Sequence, residues 1–237
     1  MASKQFAGSA GKWFAATIGF GAASYAAYAG MTWFRYGKPK PAEGENADAR
    51  LDLFMPVYDV VDHHKIRVAA PAELTLSAAT ELELENCPVI RGIFKAREWI
   101  LGSEPDNTVR PRALLAKMKS LGWGILAELP GREIVVGGVT KPWEPNPVFR
   151  SLPPDEFAAF NEPGYVKIIW TLRADPIGNG ASVFRTETRA IATDAFARMK
   201  FRRYWSFLSP GIIMIRNFML PRVKLEAERR CREIEAA

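Results

Sequence analysis

The sequence predicts an α+β fold, in which antiparallel strands are grouped between helices and a long helix closes the chain. Apolar and polar residues alternate over residues 166–173 and again over 184–192, with the two-residue period of half-buried strands. The turn-forming residues of 175–180 join the two strands as a hairpin. Asp194 then stands where a helix N-cap is expected, before an amphipathic segment that begins at Ala195. Strands that are grouped, rather than alternating with helices, are typical of the α+β class.

The composition is that of a globular protein with an uneven basic charge. The chain has 237 residues, of which 48% are hydrophobic and 24% are charged, so it can form one sizeable domain with an appendage, or two small domains. The net charge is +6, and the segment from Ala195 onward holds ten lysines and arginines against four glutamates. Such a basic tail suits an anionic membrane surface. Because no nucleic-acid-binding motif is present, we expect no nucleic acid partner.

The N-terminal segment contains a long apolar run. Residues 13–34 carry no charge between Lys12 and Arg35, and a helix of this length spans about 33 Å, enough to cross a bilayer. We therefore predict a short tail over 1–12 and a single transmembrane helix over 13–36. Aromatic residues at both ends are expected to anchor the helix at the membrane interfaces: Trp13, Phe14, Trp33 and Phe34.

Two other interpretations of this segment stay open. The triplet Ala27-Tyr28-Ala29 fits a signal-peptidase site, which would indicate secretion, and the segment could also be a soluble helix. If the helix does cross a membrane, its small residues would let transmembrane helices of a partner complex approach closely. A slight excess of positive residues after the helix favours a cytoplasmic domain on a bacterial inner membrane.

The remaining elements follow from turn and capping signals. A Pro-rich, charged linker is predicted over 37–50 and the folded domain over 51–237. The elements predicted before the hairpin are, in chain order, a strand over 59–69, helices over 71–82, 88–101 and 112–121, strands over 123–129 and 132–143, and a short helical crossover over 151–164. Pro210 and Gly211 are predicted to break or kink the last helix. The apolar residues that follow either continue over the sheet or lie in the headgroup region of a membrane.

The sequence carries no catalytic, metal or cofactor signature. Its two cysteines, Cys87 and Cys231, are far apart and form no CxxC motif. No catalytic triad, metal-ligand set or phosphate-binding loop is present, so we expect no metal and no cofactor. His63 and His64 are neighbours on a predicted strand, and therefore at most one of them faces the interior. His64 shares the parity of the apolar strand residues, and either a structural or a general-base role is open to it.

The order of elements, together with the segments HHKIRVAAPAE, LGWGILAELPGREIVVGGV and TETRAIATDAFARMKFRRYWSFLSPG, resembles the START-like, or SRPBCC, superfamily over about residues 57–230. It is most similar to bacterial members that carry an N-terminal membrane segment. The resemblance implies a helix-grip fold, in which a curved antiparallel sheet wraps around a long C-terminal helix and leaves a deep cavity. Relatives bind lipids, sterols, polyketides or other hydrophobic molecules there. The resemblance transfers no catalytic residue.

Strand parity and position provide the candidates for the cavity lining. Two threonines among apolar neighbours on an inward face suit a cavity wall, because buried hydroxyls need partners. The charged row of the same strand, Arg185, Glu187 and Arg189, is expected to face solvent. Core packing would use the same residue types as a cavity. The candidates are His64, Ile134, Val136, Trp143, Trp170, Phe184, Thr186, Thr188 and Tyr204.

Three classes of function are consistent with this sequence. The favoured one is membrane-tethered binding or carriage of a hydrophobic ligand, such as a lipid or an isoprenoid, in a helix-grip cavity. The second is a non-catalytic assembly subunit of a membrane protein complex, which needs no ligand. The third is an enzyme of the cyclase or aromatase kind, for which acid-base groups would have to line the cavity. A non-enzymatic role is favoured because only His64 and buried hydroxyls are available.

Overall fold

Five antiparallel strands form one sheet, in the order β1-β5-β4-β3-β2. The computed structural model describes residues 19–21, 23–44, 47–104 and 108–236. The predicted α+β class is confirmed, and a sheet of this kind followed by a long C-terminal helix fits the helix-grip fold. The strands are β1 (Val60–Val68), β2 (Gly124–Leu129), β3 (Glu133–Thr140), β4 (Val166–Ile177) and β5 (Ala181–Ala192).

Seven helices surround this sheet in the described parts of the chain. The first, α1, covers residues 23–35, and residues 19–21 before it are also helical. A short 3-10 turn, Leu84–Asn86, separates α3 from α4. The other helices are α2 (Ala49–Phe54), α3 (Ala72–Glu81), α4 (Pro88–Leu101), α5 (Leu114–Ser120), α6 (Pro154–Ala159) and α7 (Ala195–Glu235).

The hairpin of β4 and β5 forms as the alternating pattern predicts, but its strands are longer. Asp175 and Pro176 lie within β4, and the pair Ile177↔Ala181 closes the ladder, so the turn is confined to 178–180. Asp175 is held in the strand because its carboxylate accepts hydrogen bonds from Arg173 (2.8 Å) and Arg185 (2.7 Å). These charge-assisted bonds, one within β4 and one across the ladder from β5, outweigh the turn preference of the Asp-Pro pair.

The prediction that Glu187 and Arg189 face solvent is wrong. Arg189 donates to the Asp52 carboxylate at 2.6 Å and to the Met55 carbonyl at 3.0 Å, and it also pairs with Glu187 at 2.7 Å. The segment around α2 therefore folds back across this face of the sheet. An apolar cluster accompanies the charged groups there, formed by Leu51, Met55, Tyr58, Leu126, Val135, Val139, Phe157 and Ile169.

The opposite face of the sheet packs against α3 and α7 in two clusters. The upper cluster, at the start of α7, consists of Tyr36, Val60, Val166, Ala190, Phe201 and Trp205. The main cluster extends from α3 to the second half of α7. Its largest fully buried or nearly buried members include Val68, Ile90, Ile134, Val136, Trp170, Leu172, Phe184, Met219 and Val223.

The predicted break at Pro210 does not occur, and α7 is continuous through Pro210 and Pro221. Each proline removes one helical hydrogen bond, but packing on both sides compensates for that loss. Phe201 precedes Pro210 in the upper cluster, and Met219 follows it in the main cluster. Asp194 caps the helix as predicted, since its carboxylate accepts the Ala197 N–H at 2.8 Å.

The course of α7 follows the edge strand β1. Near the end of β1, the Lys224 ammonium donates to the Arg67 carbonyl at 3.1 Å. Just beyond the strand, the Glu228 carboxylate accepts the Ala69 N–H at 2.9 Å. Together with the contact of Val60 in the upper cluster, these bonds place the helix along the whole length of β1.

The end of α1 is attached to the start of α7. The Arg202 guanidinium donates twice to the Trp33 carbonyl, at 3.0 and 2.8 Å, and lies 4.2 Å from the centroid of the Trp33 ring. The Tyr36 hydroxyl donates to Asp59 at 3.1 Å, and Arg198 forms an ion pair with the same carboxylate at 2.8 Å. These bonds join α1 to the domain directly.

The described residues include no helix that is both long and apolar enough to cross a bilayer. The predicted span begins at Trp13, and Trp13 and Phe14 lie outside the described residues. Trp33 is half-buried beside Arg202, and Phe34 is exposed.

Two glycines with positive φ provide a matched test of the packing beside β2. A Cβ at Gly122 (φ +96°) would lie 2.2 Å from the Phe149 carbonyl oxygen, whereas one at Gly178 (φ +63°) would meet nothing within 4 Å. Alanine at either position should cost about 1–2 kcal/mol of unfolding free energy from backbone strain. Gly122→Ala should cost about 2 kcal/mol more than Gly178→Ala, because Phe149 must also move. Urea unfolding followed by tryptophan fluorescence measures both, and equal losses would contradict the close packing.

Candidate ligand-binding site

The predicted lining residues separate into two groups under α7. Ile134, Val136, Trp170 and Phe184 are buried together in the main cluster, on the sheet face that α7 covers. Trp143 and Tyr204 instead pack against the upper cluster. The four residues of the first group therefore form a common apolar wall, packed by the surrounding side chains.

A polar layer lies between the two apolar clusters. It consists of five side chains on the helix-facing side of the sheet and on α7: Asp62, His64, Thr186, Thr188 and Arg216. The strand register places them together, because Asp62 pairs with Thr188 and His64 pairs with Thr186 across β1 and β5. Thr188 also pairs with Trp170 on β4. The layer therefore adjoins the apolar wall.

Asp62 and His64 are two residues apart on β1 and share one face. The His64 Nε2 atom lies 3.0 and 3.1 Å from the two oxygens of the Asp62 carboxylate. The carboxylate fixes the orientation of the imidazole ring, and Nδ1 forms no hydrogen bond with the described residues. A histidine held in this way can exchange a proton with a bound group, or it can serve structure alone.

Arg216 extends from α7 into the polar layer. Its Nη2 donates to the Thr188 hydroxyl at 2.9 Å, and its guanidinium lies 5.2 Å from the centroid of the buried Trp170 ring. Loss of hydration lowers the pKa of Arg216, and the negative charge of Asp62 partly opposes that effect. Within the described chain, no carboxylate forms an ion pair with this guanidinium, which stays charged at neutral pH.

Thr186 has a buried hydroxyl without a partner. Only 2% of the residue is exposed, and its Oγ1 atom has no hydrogen-bond partner among the described residues. Its neighbour on the same face, Thr188, is satisfied by Arg216. Buried hydroxyls are almost always hydrogen-bonded in native proteins, so the unpaired Thr186 marks a surface that a further group can complete.

Two clefts open elsewhere, where the segment before α2 crosses the sheet. One, of about 120 Å³, is bordered mainly by charged residues of the opposite sheet face, including His63, Lys65, Arg173 and Glu187, and it also reaches His64 and Thr186. The other, of about 370 Å³, lies between the proline-rich segment and Arg189. The charged border of the smaller cleft does not match an apolar ligand. The larger cleft is lined mainly by apolar residues of the proline-rich segment, with Asp52 and Arg189 at its side. No group of metal-binding side chains forms in the described part of the chain.

The sequence contained signals for the two residues that it did not identify as candidates. Asp62 has the same strand parity as His64, but a single acid on an edge strand is more commonly solvated. Arg216 interrupts the apolar run 211–220. Its inward direction depends on α7 continuing through Pro210, and the expected break concealed that direction.

The sheet order and the position of α7 define this chain as an α+β protein of the helix-grip type. No protein-family model matches the chain. No curated protein matches it either.

Three solved structures are similar to the chain over most of its length. A hypothetical protein from Helicobacter pylori aligns with 79% of this chain and 99% of its own, at 6% identity and a TM-score of 0.38. CalU16 from Micromonospora echinospora aligns with 75% and 88%, at 14% identity and a TM-score of 0.25. The Zhui aromatase/cyclase from Streptomyces sp. R1128 aligns with 72% and 94%, at 15% identity and a TM-score of 0.23. Since all three TM-scores are below 0.5, the fold assignment rests on the sheet and helices of the chain itself.

Isosteric substitution of the two threonines tests the polar layer. Thr186→Val removes a hydroxyl without a partner, so the unfolding free energy of the purified protein should rise by about 1 kcal/mol. Thr188→Val removes the acceptor of the Arg216 hydrogen bond and should lower the unfolding free energy by about 1–2 kcal/mol. Urea unfolding measures both changes, and each variant is the packing control for the other. A loss of stability in Thr186→Val would show that this hydroxyl already has a partner.

A buried acid on the opposite face gives the protein a distinct pH dependence. Burial and the nearby charge of Asp48 raise the pKa of Glu133 from 4.5 to about 7, although Arg50 approaches its carboxylate at 3.0 Å. Its other oxygen, Oε1, has no partner among the described residues. The ionised form therefore lacks part of the hydrogen bonding that it would have in water.

The folded protein should lose stability as this carboxyl ionises. Between pH 4.5 and 7 the folded state binds more protons at Glu133 than the unfolded state does, so the unfolding free energy falls as pH rises through that window. The fall in unfolding free energy between pH 5 and pH 8, measured by urea unfolding, should be larger by about 1–2 kcal/mol in the wild type than in Glu133→Gln. Glu128→Gln, at an exposed position of β2, is the control and should behave as wild type. Parallel pH profiles for wild type and Glu133→Gln would contradict the raised pKa.

Proposed function

We propose that this chain binds a hydrophobic ligand, such as a lipid or an isoprenoid, between its sheet and α7, and that an N-terminal transmembrane helix tethers it to a membrane. The observation that carries the proposal is the Thr186 hydroxyl, which is buried on the helix-facing wall without a partner. In a permanently dry core such a hydroxyl costs about 1–3 kcal/mol. A bound ligand or its water shell would supply the missing partner.

The surroundings of Thr186 suit a ligand with a large apolar part. Phe184 lies two residues away on the same face, and Trp170 and Leu172 occupy the adjacent strand. An apolar chain laid along this wall gains about 25 cal/mol for each Å² of apolar surface removed from water. The wall is packed in the present conformation, so binding requires α7 to move away from the sheet.

The edge strand β1 is the natural side for ligand access. His64 and Ile66 on β1 are half-buried, as are Ile215 and Arg216 on the facing part of α7. The packing between strand and helix is thus less complete here than at Trp205 or Val223, which are buried. A separation between β1 and α7 at this point would open the apolar wall from its edge, and it would separate the part of the main cluster that α7 contributes.

α1 is bonded to α7 at several points, since Tyr25 bonds to the Phe207 carbonyl and Tyr28 to Ser209. The membrane part of the proposal therefore rests on the residues before α1 and on the exposed apolar side chains nearby. The bonds from Arg202 to Trp33 place the end of α1 beside the first half of the helix that covers the wall. Exposed apolar side chains include Met31 and Phe34 on α1, and Phe20 in the helical residues before it. A membrane that holds the N-terminal segment would therefore lie near α7. We propose the cytoplasmic side of a bacterial inner membrane for the domain because of the slight excess of positive residues after the predicted transmembrane helix. Membrane-bound ligands would then reach the domain over a short distance.

The test is to extract the full-length protein gently from its native membrane and to analyse what accompanies it. Native mass spectrometry and organic-phase analysis should find an apolar molecule at about one per chain. Replacement of Thr186 by the larger Phe should reduce its occupancy, because the ring occupies the wall. Val183→Phe, on the opposite face of the same strand, is the matched control and should retain the ligand.

The other outcomes separate the remaining functions. An empty domain bound tightly to other membrane proteins would contradict ligand binding and favour an assembly subunit. A molecule recovered in a chemically altered form would favour an enzyme of the cyclase kind, for which the Asp62–His64 pair is the acid-base candidate. Recovery of the chain in the soluble fraction of gently lysed cells would contradict the membrane tether.

A further inference from the structure

The geometry points to Arg216 as the binding site for the anionic headgroup, a carboxylate or a phosphate, of an amphipathic ligand. This inference rests on the proposed function and specifies its ligand class. It places the charged end of the ligand in the polar layer and the apolar part along the wall of the main cluster.

Arg216 has several hydrogen-bond donors without a protein acceptor among the described residues. A guanidinium has five N–H groups in a fixed planar fork. In the described chain, one nitrogen, Nη2, donates to the Thr188 hydroxyl at 2.9 Å. The other N–H groups have no protein acceptor among the described residues. A carboxylate or phosphate is the group whose geometry matches such a fork, because it can accept two parallel hydrogen bonds.

No ion pair with a described residue compensates the positive charge of Arg216 in the polar layer. Arg216 is half-buried, and the water that its guanidinium loses is compensated only by an opposite charge and further hydrogen bonds. The charge of Asp62 acts on Arg216, but no ion pair joins the two among the described residues, and the Asp62 carboxylate lies 3.0 Å from the His64 imidazole. An anion from outside the chain would complete the compensation.

Arg216 lies at the boundary between the polar layer and the apolar wall. Its guanidinium lies 5.2 Å from the Trp170 ring, which belongs to the main cluster. The unpaired Thr186 hydroxyl is two residues from Thr188 on the same face of β5. A headgroup bound by Arg216 thus has a second polar partner available at Thr186, and its chain begins at the apolar wall.

Photo-crosslinking with three amphiphiles of equal chain length tests the headgroup. The probes are a diazirine-bearing hexadecanoic acid, the corresponding alkyl phosphate and the corresponding alcohol, each titrated against full-length protein in a nonionic detergent. The wild type should take up the acid or the phosphate with a half-saturating concentration at least tenfold lower than that of the alcohol. The crosslinked peptides should contain Trp170 or Phe184. The ratio of acid to phosphate identifies which of the two anions the site prefers.

Variants of α7 assign the preference to Arg216. Arg216→Met should abolish the preference for the anions while the half-saturating concentration of the alcohol changes less than threefold. Arg216→Lys should retain part of it, since the charge remains but the fork is lost. Arg203→Met, on an exposed position of the same helix, removes the same charge and should behave as wild type.

The possible failures are distinct. Equal uptake of acid and alcohol at the wall, or a preference that survives Arg216→Met, would overturn the headgroup site and leave the proposed function intact. Absence of any crosslink at Trp170 or Phe184 with all three probes would overturn both. If Arg216→Met loses both alcohol binding and folded structure, it cannot test the headgroup site. Arg216→Lys is then the test, and it must still prefer the anions for the inference to stand.

Discussion

The packing of α7 along β1 and β5 is the constraint on which the rest of the structure depends. The helix covers one face of the sheet from Phe201, in the upper cluster, to Val223, in the main cluster. Because it is continuous through Pro210, the direction of every side chain between these two points is fixed. Arg216 is turned toward the sheet for this reason, and α1 is attached to the first half of the same helix through Arg202.

The helix–sheet interface is not uniform along its length. Each end holds an apolar cluster, whereas the middle holds charged and hydroxyl groups whose hydrogen bonding is incomplete. A stable core normally excludes such groups or pairs them fully. The Thr188 hydroxyl is paired and the Thr186 hydroxyl is not, and the proposed binding surface is based on this difference. This is why we assign function to the polar layer rather than to the clefts near α2.

The sequence predicted the sheet better than it predicted what covers the sheet. Alternation over β4 and β5 and the cap at Asp194 depend on local preferences, and both are present in the structure. The burial of Arg189 depends instead on a distant segment, since Asp52 and Met55 reach it across more than a hundred residues of chain. The same limit applies to Arg216, whose partner Thr188 lies on another element. Strand parity identified Thr186 and His64 as inward-facing. Their hydrogen-bond partners depend on tertiary packing, which parity does not predict.

The central claim is that a ligand, rather than protein alone, completes the interface between α7 and the sheet. A crystal structure of the full-length chain, purified from its native membrane without delipidation, tests it most directly. The account predicts continuous non-protein density along Trp170 and Phe184, ending in oxygen atoms within hydrogen-bond distance of Arg216 or Thr186. A closed interface in which protein atoms alone satisfy both side chains, with no other density, would contradict it.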